Sequence, residues 1–406
     1  MRMVIKRHTF PDSYSRGKMI YDLKGKGIAK KEGAASAMEF KTGEQLTKKH
    51  KENKNLIMQY NRQLFPIFTI LLLLTNNVFS QTRQTKQIDS LMKWSSEIGV
   101  FNGNVLVSKN NKILYSASFG FTDATKTNKL TAGYRFNIGS ITKEFSAAAL
   151  MQLQEQGKLK LNDKVSKFIP ELPKWADQVA IEDVLQYTSG MPNVNWKIIR
   201  NDKDLFEGLM AIDTLDFKPG TNYDYNNNNI FLRQFIVERL TNMPFKAYVE
   251  KFIFQPCGMD SSVMTPFANQ ENIAKGFNNN LVPDKTDLPI TGGTYLTTVD
   301  LLKWADCLHE NKIVSKKSLY KIGQQFDLPE TQSALGQAKF KNENLIGHLH
   351  DGRAGNYEAI LVSDIEQKFT IILLGNNYNG KAFEISDAII AILKGQKYSL
   401  PKKNRS

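Results

Sequence analysis

The chain has 406 residues and a formal net charge of +14, enough length for one large domain or two smaller ones. Residues 1–57 hold fourteen Lys/Arg against six Asp/Glu, a net +8, which leaves +6 for the other 349 residues. Nucleic acid is therefore not an expected partner of the folded part. The two cysteines lack C-x-x-C spacing, which argues against a redox or zinc motif; whether Cys257 pairs with Cys307 stays open.

The leading basic segment has no hydrophobic periodicity and reads as an unstructured extension. Residues 64–75, LFPIFTILLLLT, form a 12-residue apolar run, too short to span a bilayer as a helix. Met58 and Arg62 precede it and Val78-Phe79-Ser80 follow it, the layout of a secretory signal peptide cut after Ser80. The expected organisation is an extension over 1–57 upstream of a true start at Met58, a signal peptide over 58–80, a domain over 81–397 and a basic tail over 398–406. A cytoplasmic arm on an uncleaved anchor is the alternative. The product is expected in the periplasm or outside the cell, with no stable membrane anchor after cleavage.

Residues 86–99 read as an amphipathic helix, with Ile88, Leu91, Met92 and Trp94 on its apolar side. Gly103 to Val107 alternates as a strand, Asn110-Asn111 signals a turn, and Ile113 to Tyr115 returns. Arg135 to Ile138 is a short strand leading into Ser140. Phe145, Ala148, Ala149 and Leu153 then recur at helical spacing, with Gly157 as C-cap. Residues 158–284 are mainly helical, including helices at 228–241 and 245–256. Thr297 or Thr298 caps another helix. Strands return at Tyr357–Val362 and Phe369–Leu374, and Ile385–Leu393 is a final helix. The predicted class is α/β of the α+β type: an antiparallel sheet flanked by helices. Its sheet part is expected at about 86–157 and 285–397, with a mainly helical insertion over about 158–284.

Three short motifs carry chemistry. Ser140 and Lys143 form S-x-x-K. Placed in a first helical turn, residues three apart share a face, so the lysine amine reaches the serine hydroxyl. A serine needs such a base, and an amine desolvated by an apolar face can serve. The helix N-terminus adds N–H groups suited to an oxyanion. By itself S-x-x-K is common by chance, and so is the Lys41-Thr42-Gly43 that precedes it. The second motif is Tyr225-Asn226-Asn227, with Tyr225 as a phenolate or proton shuttle whose pKa a neighbouring lysine would lower. The third is His350-Asp351-Gly352, followed by Arg353. His348 and His350 fall on one side of a strand at period two. H-x-H can also be a metal pair, but no third ligand stands at metal-site spacing, so neither metal nor cofactor is expected.

In order, S-x-x-K, Y-x-N and H-x-G resemble the class C β-lactamase family of serine hydrolases, which includes D-alanyl-D-alanine carboxypeptidases, penicillin-binding-protein-like peptidases and certain esterases. The resemblance runs from Phe101 to the last helix and includes Thr188-Ser189-Gly190-Met191-Pro192. It implies a serine β-lactamase/penicillin-binding-protein-like fold and an acyl-enzyme on Ser140. Lys143 and Tyr225 would share acid–base work. The backbone N–H groups of Ser140 and Arg353 would form the oxyanion hole, and Asn227, His350 and Gly352 would line the pocket. Departures are His350-Asp351-Gly352 where the family often has K-T-G or H-[ST]-G, and Tyr187 where it usually has His. A neutral His350 facing the nucleophile would recognise substrate carboxylates weakly. The implied activity is an exported serine hydrolase cleaving an amide or ester of a small molecule or peptide. A catalytically weak penicillin-binding or sensor module on the same fold is the alternative.

Overall fold

The computed structural model describes residues 82–266, 270–284 and 293–403. The expected extension, the signal peptide and the last three residues of the basic tail lie outside the described residues. Helix α1 covers 82–97. Ile88, Leu91 and Met92 are fully buried on one side of it, whereas Trp94 is 41% exposed; its indole Nε1 donates to Pro401 O instead. Strands β1 (Gly103–Lys109) and β2 (Lys112–Phe119) form a hairpin. Asn110 and Asn111 both take positive φ, 52° and 59°, the left-handed pair that matches the twist of a two-residue turn.

After β3 (Phe136–Asn137), a 3-10 turn over Gly139–Thr142 runs directly into α2 (Lys143–Glu155). Gly157, at φ 71°, ends that helix in the left-handed region as a C-terminal glycine should. Helices α3 (Ile181–Gln186), α4 (Asp202–Met210), α5 (Asn228–Thr241) and α6 (Phe245–Val249) follow, the last continuing as a π turn over Glu250–Phe254. Short strands β4 (Val263–Met264) and β5 (Thr294–Leu296) join β3 in a three-stranded sheet. Helix α7 (Thr298–His309) is capped by Thr297, whose hydroxyl accepts from Asp300 N at 3.1 Å. Then come α8 (Lys316–Ile322), β6 (Gln337–Lys341), β7 (Asn344–Ala354), β8 (Tyr357–Asp364), β9 (Phe369–Gly375) and α9 (Ala382–Leu393).

The main sheet is antiparallel with order β2-β1-β9-β8-β7-β6. Its two ends of sequence meet where β1 pairs with β9. Both central strands are buried on both faces, which is why β9 reads as an unbroken apolar run, FTIILLG. Val105, Val107, Ile371 and Leu373 pack under α1 and α9, while Leu106, Ile372 and Leu374 face the larger core around α2, α5 and α7. The result is a sheet with helices on both faces. A disulfide joins Cys257, just past the π turn, to Cys307 on α7.

Candidate active site

Ser140 lies in the 3-10 turn rather than in the α-helix proper. At three residues per turn, positions i and i+3 eclipse, and Lys143 Nζ donates to Ser140 Oγ at 2.8 Å. Two glycines bring strand β7 against this turn. A Cβ on Gly139, at φ 53°, would stand 2.3 Å from Arg353 N, and one on Gly352 would stand 1.9 Å from Ile138 O and 3.0 Å from Ser140 N. Strand β6 pairs with β7 only as far as Leu349. The far end of β7 is therefore left to meet the serine turn, which sets the backbones of Ser140 and Arg353 side by side.

Part of Lys143 stays accessible, but its amine is enclosed by protein, and the amine's surroundings govern its proton affinity. Burial, then the cation of Arg233, pull its pKa down to about 7, against the carboxylate of Asp351. The same nitrogen sits 5.0 Å from the centroid of the Tyr225 ring. Tyr225 does not follow the expectation of a lowered pKa. Burial pushes it up, Tyr187 adds to this, and Ser140 acts the other way without overcoming them. The desolvation that frees the lysine of its proton keeps the phenol protonated. Tyr225 Oη completes no well-formed hydrogen bond among the described residues.

Asn227 sits half-buried at the N-terminus of α5, and its side chain makes no capping bond. Its neighbours are committed elsewhere: Asn226 Nδ2 donates to Met191 O at 2.7 Å and Asn228 Nδ2 to Pro192 O at 2.7 Å. These bonds hold the Thr188–Pro192 turn against the start of α5.

His350 departs most from expectation. It is 2% exposed, and its Nδ1 lies 2.6 Å from Glu144 Oε1. His348 Nε2 lies 2.9 Å from the same oxygen, and Trp304 Nε1 donates to Glu144 Oε2 at 2.6 Å. Burial alone would raise the Glu144 carboxyl, but the two imidazoles overcome it and hold the pKa at about 2. So His350 is anchored to helix α2 rather than turned to a substrate. The turn ending at Gly336 covers it: a Cβ there would come 2.8 Å from the ring. Glu144 is also the third potential ligand that the sequence did not reveal for an H-x-H metal pair. The spacings are those of hydrogen bonds, shorter than the roughly 3.3 Å between ligand atoms spaced tetrahedrally around zinc at about 2 Å. Among the described residues, moreover, His348 Nδ1 and His350 Nε2 lack the outer partners that metal-bound imidazoles keep.

Arg353 is exposed, with its guanidinium 3.8 Å from the centroid of the Tyr378 ring. Tyr187 is fully buried at φ 61° and packs against Tyr225, ring centroids 4.8 Å apart. Sequence reasoning missed Glu144, Arg233 and Trp304. A charge inside the apolar run Ile230-Phe231-Leu232-Arg233-Gln234-Phe235-Ile236 was a signal available for Arg233.

A serine and a buried lysine in hydrogen-bond contact, set at one edge of an antiparallel sheet beneath helices, define a protein of the serine-hydrolase type. The chain belongs to the Beta-lactamase family, whose model matches residues 86–395. It is 26% identical over 369 residues to Penicillin-binding protein 4* of Bacillus subtilis, covering 78% of each chain. Among solved structures, the fold is similar to a penicillin-binding protein from Bacillus halodurans (TM-score 0.66, 24% identity, 75% of this chain and 98% of that one). It is also similar to a class C beta-lactamase (TM-score 0.67, 21% identity, 80% and 98%).

Proposed function

We propose that the protein is an exported serine hydrolase that cleaves an amide or ester through an acyl-enzyme on Ser140. The observation that carries this reading is the 2.8 Å contact between Ser140 Oγ and an enclosed Lys143 amine whose pKa is about 7. Near neutral pH a large share of that amine is uncharged and able to accept a proton. As Ser140 Oγ attacks the substrate carbonyl, its proton passes to Lys143 Nζ. The oxygen that gains charge is met by the backbone N–H groups of Ser140 and Arg353. The Tyr225 hydroxyl, kept neutral, relays a proton to the leaving nitrogen or oxygen as the scissile bond breaks. Water then attacks the acyl carbon by the same groups in reverse. Asn227 holds the substrate's amide or carbonyl.

Neutral substrates suit this site better than carboxylates. His350 is spent on Glu144, Arg353 on Tyr378, and Asp351 places negative charge near Lys143. Export to the periplasm or outside is supported by the apolar run at 64–75 and by the Cys257–Cys307 bond, which an oxidising compartment favours.

The test is incubation with a fluorescent penicillin and a panel of p-nitrophenyl esters, followed by intact mass. Expected are turnover of at least one ester and a mass adduct on Ser140, both absent in Ser140→Ala with the fold kept. Stable labelling without turnover would favour a penicillin-binding module, and Ser140→Ala activity near wild type would sink the nucleophile.

A further inference from the structure

Beneath the Ser140–Lys143 pair lies a stack of four side chains. Lys143 Nζ is 5.0 Å from the Tyr225 ring, Tyr225 is 4.8 Å from Tyr187, and Tyr187 is 4.7 Å from the guanidinium carbon of Arg233. Arg233 is fully buried. It donates from Nε and Nη2 to Val184 O (3.2 and 2.9 Å) and from Nη2 to Leu185 O (2.7 Å). Among the described residues its Nη1 has no hydrogen-bond partner and no carboxylate forms an ion pair with it. A guanidinium buried among carbonyls and against the Tyr187 ring acts over a long range in a medium of low polarisability. The nearby Glu144 carboxylate is already engaged by His348 and His350.

We propose that Arg233 is a positioning residue for acyl transfer: it stands behind the Tyr187–Tyr225 stack on which the Ser140–Lys143 pair rests, and acts on that pair through its charge and by fixing the two rings. The inference rests on Ser140 and Lys143 acting as nucleophile and base. Two parts of the stack have separate work. The guanidinium acts electrostatically, since two cations in one buried region disfavour each other. The Tyr187 ring acts mechanically: fixed by Arg233 on one side, it fixes Tyr225 on the other. The groups facing the Lys143 amine are Ser140 on its own segment, Tyr225 before α5, Arg233 on α5 and Asp351 on β7. Asp351 opposes Arg233 and burial reinforces it, so the amine's proton affinity is a balance that removing one charge should move.

The experiment is the pH dependence, from pH 5 to 9, of kcat/KM for a neutral p-nitrophenyl ester with the full-length protein. Arg233→Met and Arg233→Gln remove the charge, Gln keeping a donor for Val184 O, and Arg233→Lys keeps it. Both neutral variants are expected to move the acid limb up by about half to one pH unit, a loss of roughly threefold to tenfold at pH 6, with activity at pH 9 little changed. Arg233→Lys should leave the limb near its wild-type position. Tyr187→Leu, which breaks the stack, should lower kcat more than it changes KM, and an unchanged kcat would overturn the positioning role. The proposal is overturned if folded neutral variants keep the wild-type limb, or if Arg233→Lys shifts it as far as they do. Should Arg233→Met not fold, Arg233→Gln and Arg233→Lys decide the matter by the same comparison. Wild-type protein without Ser140-dependent hydrolysis would overturn the underlying function instead, and this inference with it.

Discussion

Glu144 Oε1 stands 2.6 Å from His350 Nδ1, joining helix α2 to strand β7 one residue past Lys143. The serine turn and the strand that bears Arg353 are thus locked together by a buried carboxylate. Glu144→Gln should lower stability by about 3 kcal/mol, because both imidazoles and the Trp304 N–H lose a charged acceptor where water cannot replace it. The carboxyl is held at about 2 against an unfolded value of 4.5. A depressed carboxyl stabilises in full above pH 4.5 and loses that contribution as the pH falls toward 2. Chemical denaturation of wild type and Glu144→Gln should therefore converge across that window. An unchanged gap at pH 2.5 would show that the carboxylate charge is not what matters.

The same contact alters what His350→Lys should do. With His350 facing the nucleophile, as the motif alone implies, a lysine there would favour penicillins over neutral esters. With the position directed at Glu144, the new ammonium pairs with that carboxylate inside the core. The penicillin-to-ester ratio of acylation rates should stay within about threefold of wild type, because a cation paired in the core adds almost nothing at a separate substrate site. A large gain for the penicillin would put the side chain back in the pocket.

Much of this was legible in the sequence. The Asn110-Asn111 hairpin, helix 228–241 and the Ser140–Lys143 contact follow from periodicity, turn chemistry and i,i+3 geometry, which are local. What escaped depends on pairs distant in sequence: Glu144 with His350 is 206 residues apart, and Arg233 reaches Val184 across 49. Two expectations fail, each for its own physical reason. Periodicity places Trp94 on the buried side, yet its ring satisfies its N–H at the rim. A nearby lysine implies a lowered pKa for Tyr225, but burial is the larger effect.

Lys143→Ala and Tyr225→Phe should each lower the acylation rate by roughly 10²–10⁴, the usual reach of a positioned acid or base. Their effects should not add. A proton relayed from Lys143 to the leaving group by way of Tyr225 fails once either is removed, so the double variant should be little worse than the poorer single one. Pre-steady-state acylation of the four proteins by one ester measures this, and simple additivity would assign the two side chains independent tasks.

Cys257 and Cys307 close a loop with a sequence separation of 50 and tie the end of the π turn to α7. Helix α7 carries Trp304, which holds Glu144. A loop of about 50 residues is worth about 4 kcal/mol by chain entropy alone, and 2–4 kcal/mol is typical in practice. The Cys257→Ser, Cys307→Ser double variant should unfold at a lower denaturant concentration by about that amount. Its slope against denaturant should also rise, since an uncrosslinked unfolded chain exposes more surface. Equal midpoints with and without reductant would mean that the bond constrains nothing the fold does not already fix.

Lys143 should cost the protein stability for the sake of its chemistry. Its amine has a pKa of about 7 in the folded chain and 10.5 when unfolded. Between those values the unfolded chain binds one proton more than the folded one, so this group makes stability rise with pH from 7 to 10.5. Below pH 7 its penalty is at its largest. Lys143→Met keeps the apolar stem and removes the titration. Part of the gain is offset by the lost bond to Ser140 Oγ, so at pH 7 the variant should be more stable by about 2 kcal/mol. That corresponds to a Tm higher by about 4 °C in a domain of this size, with acyl transfer abolished. The advantage should shrink as the pH is raised toward 10, where the wild-type amine no longer pays for folding by shedding a proton. Thermal unfolding of both proteins at pH 7, 8.5 and 10 measures it, and a Tm difference that stays constant across the three would show that Lys143 is fully charged in the folded protein.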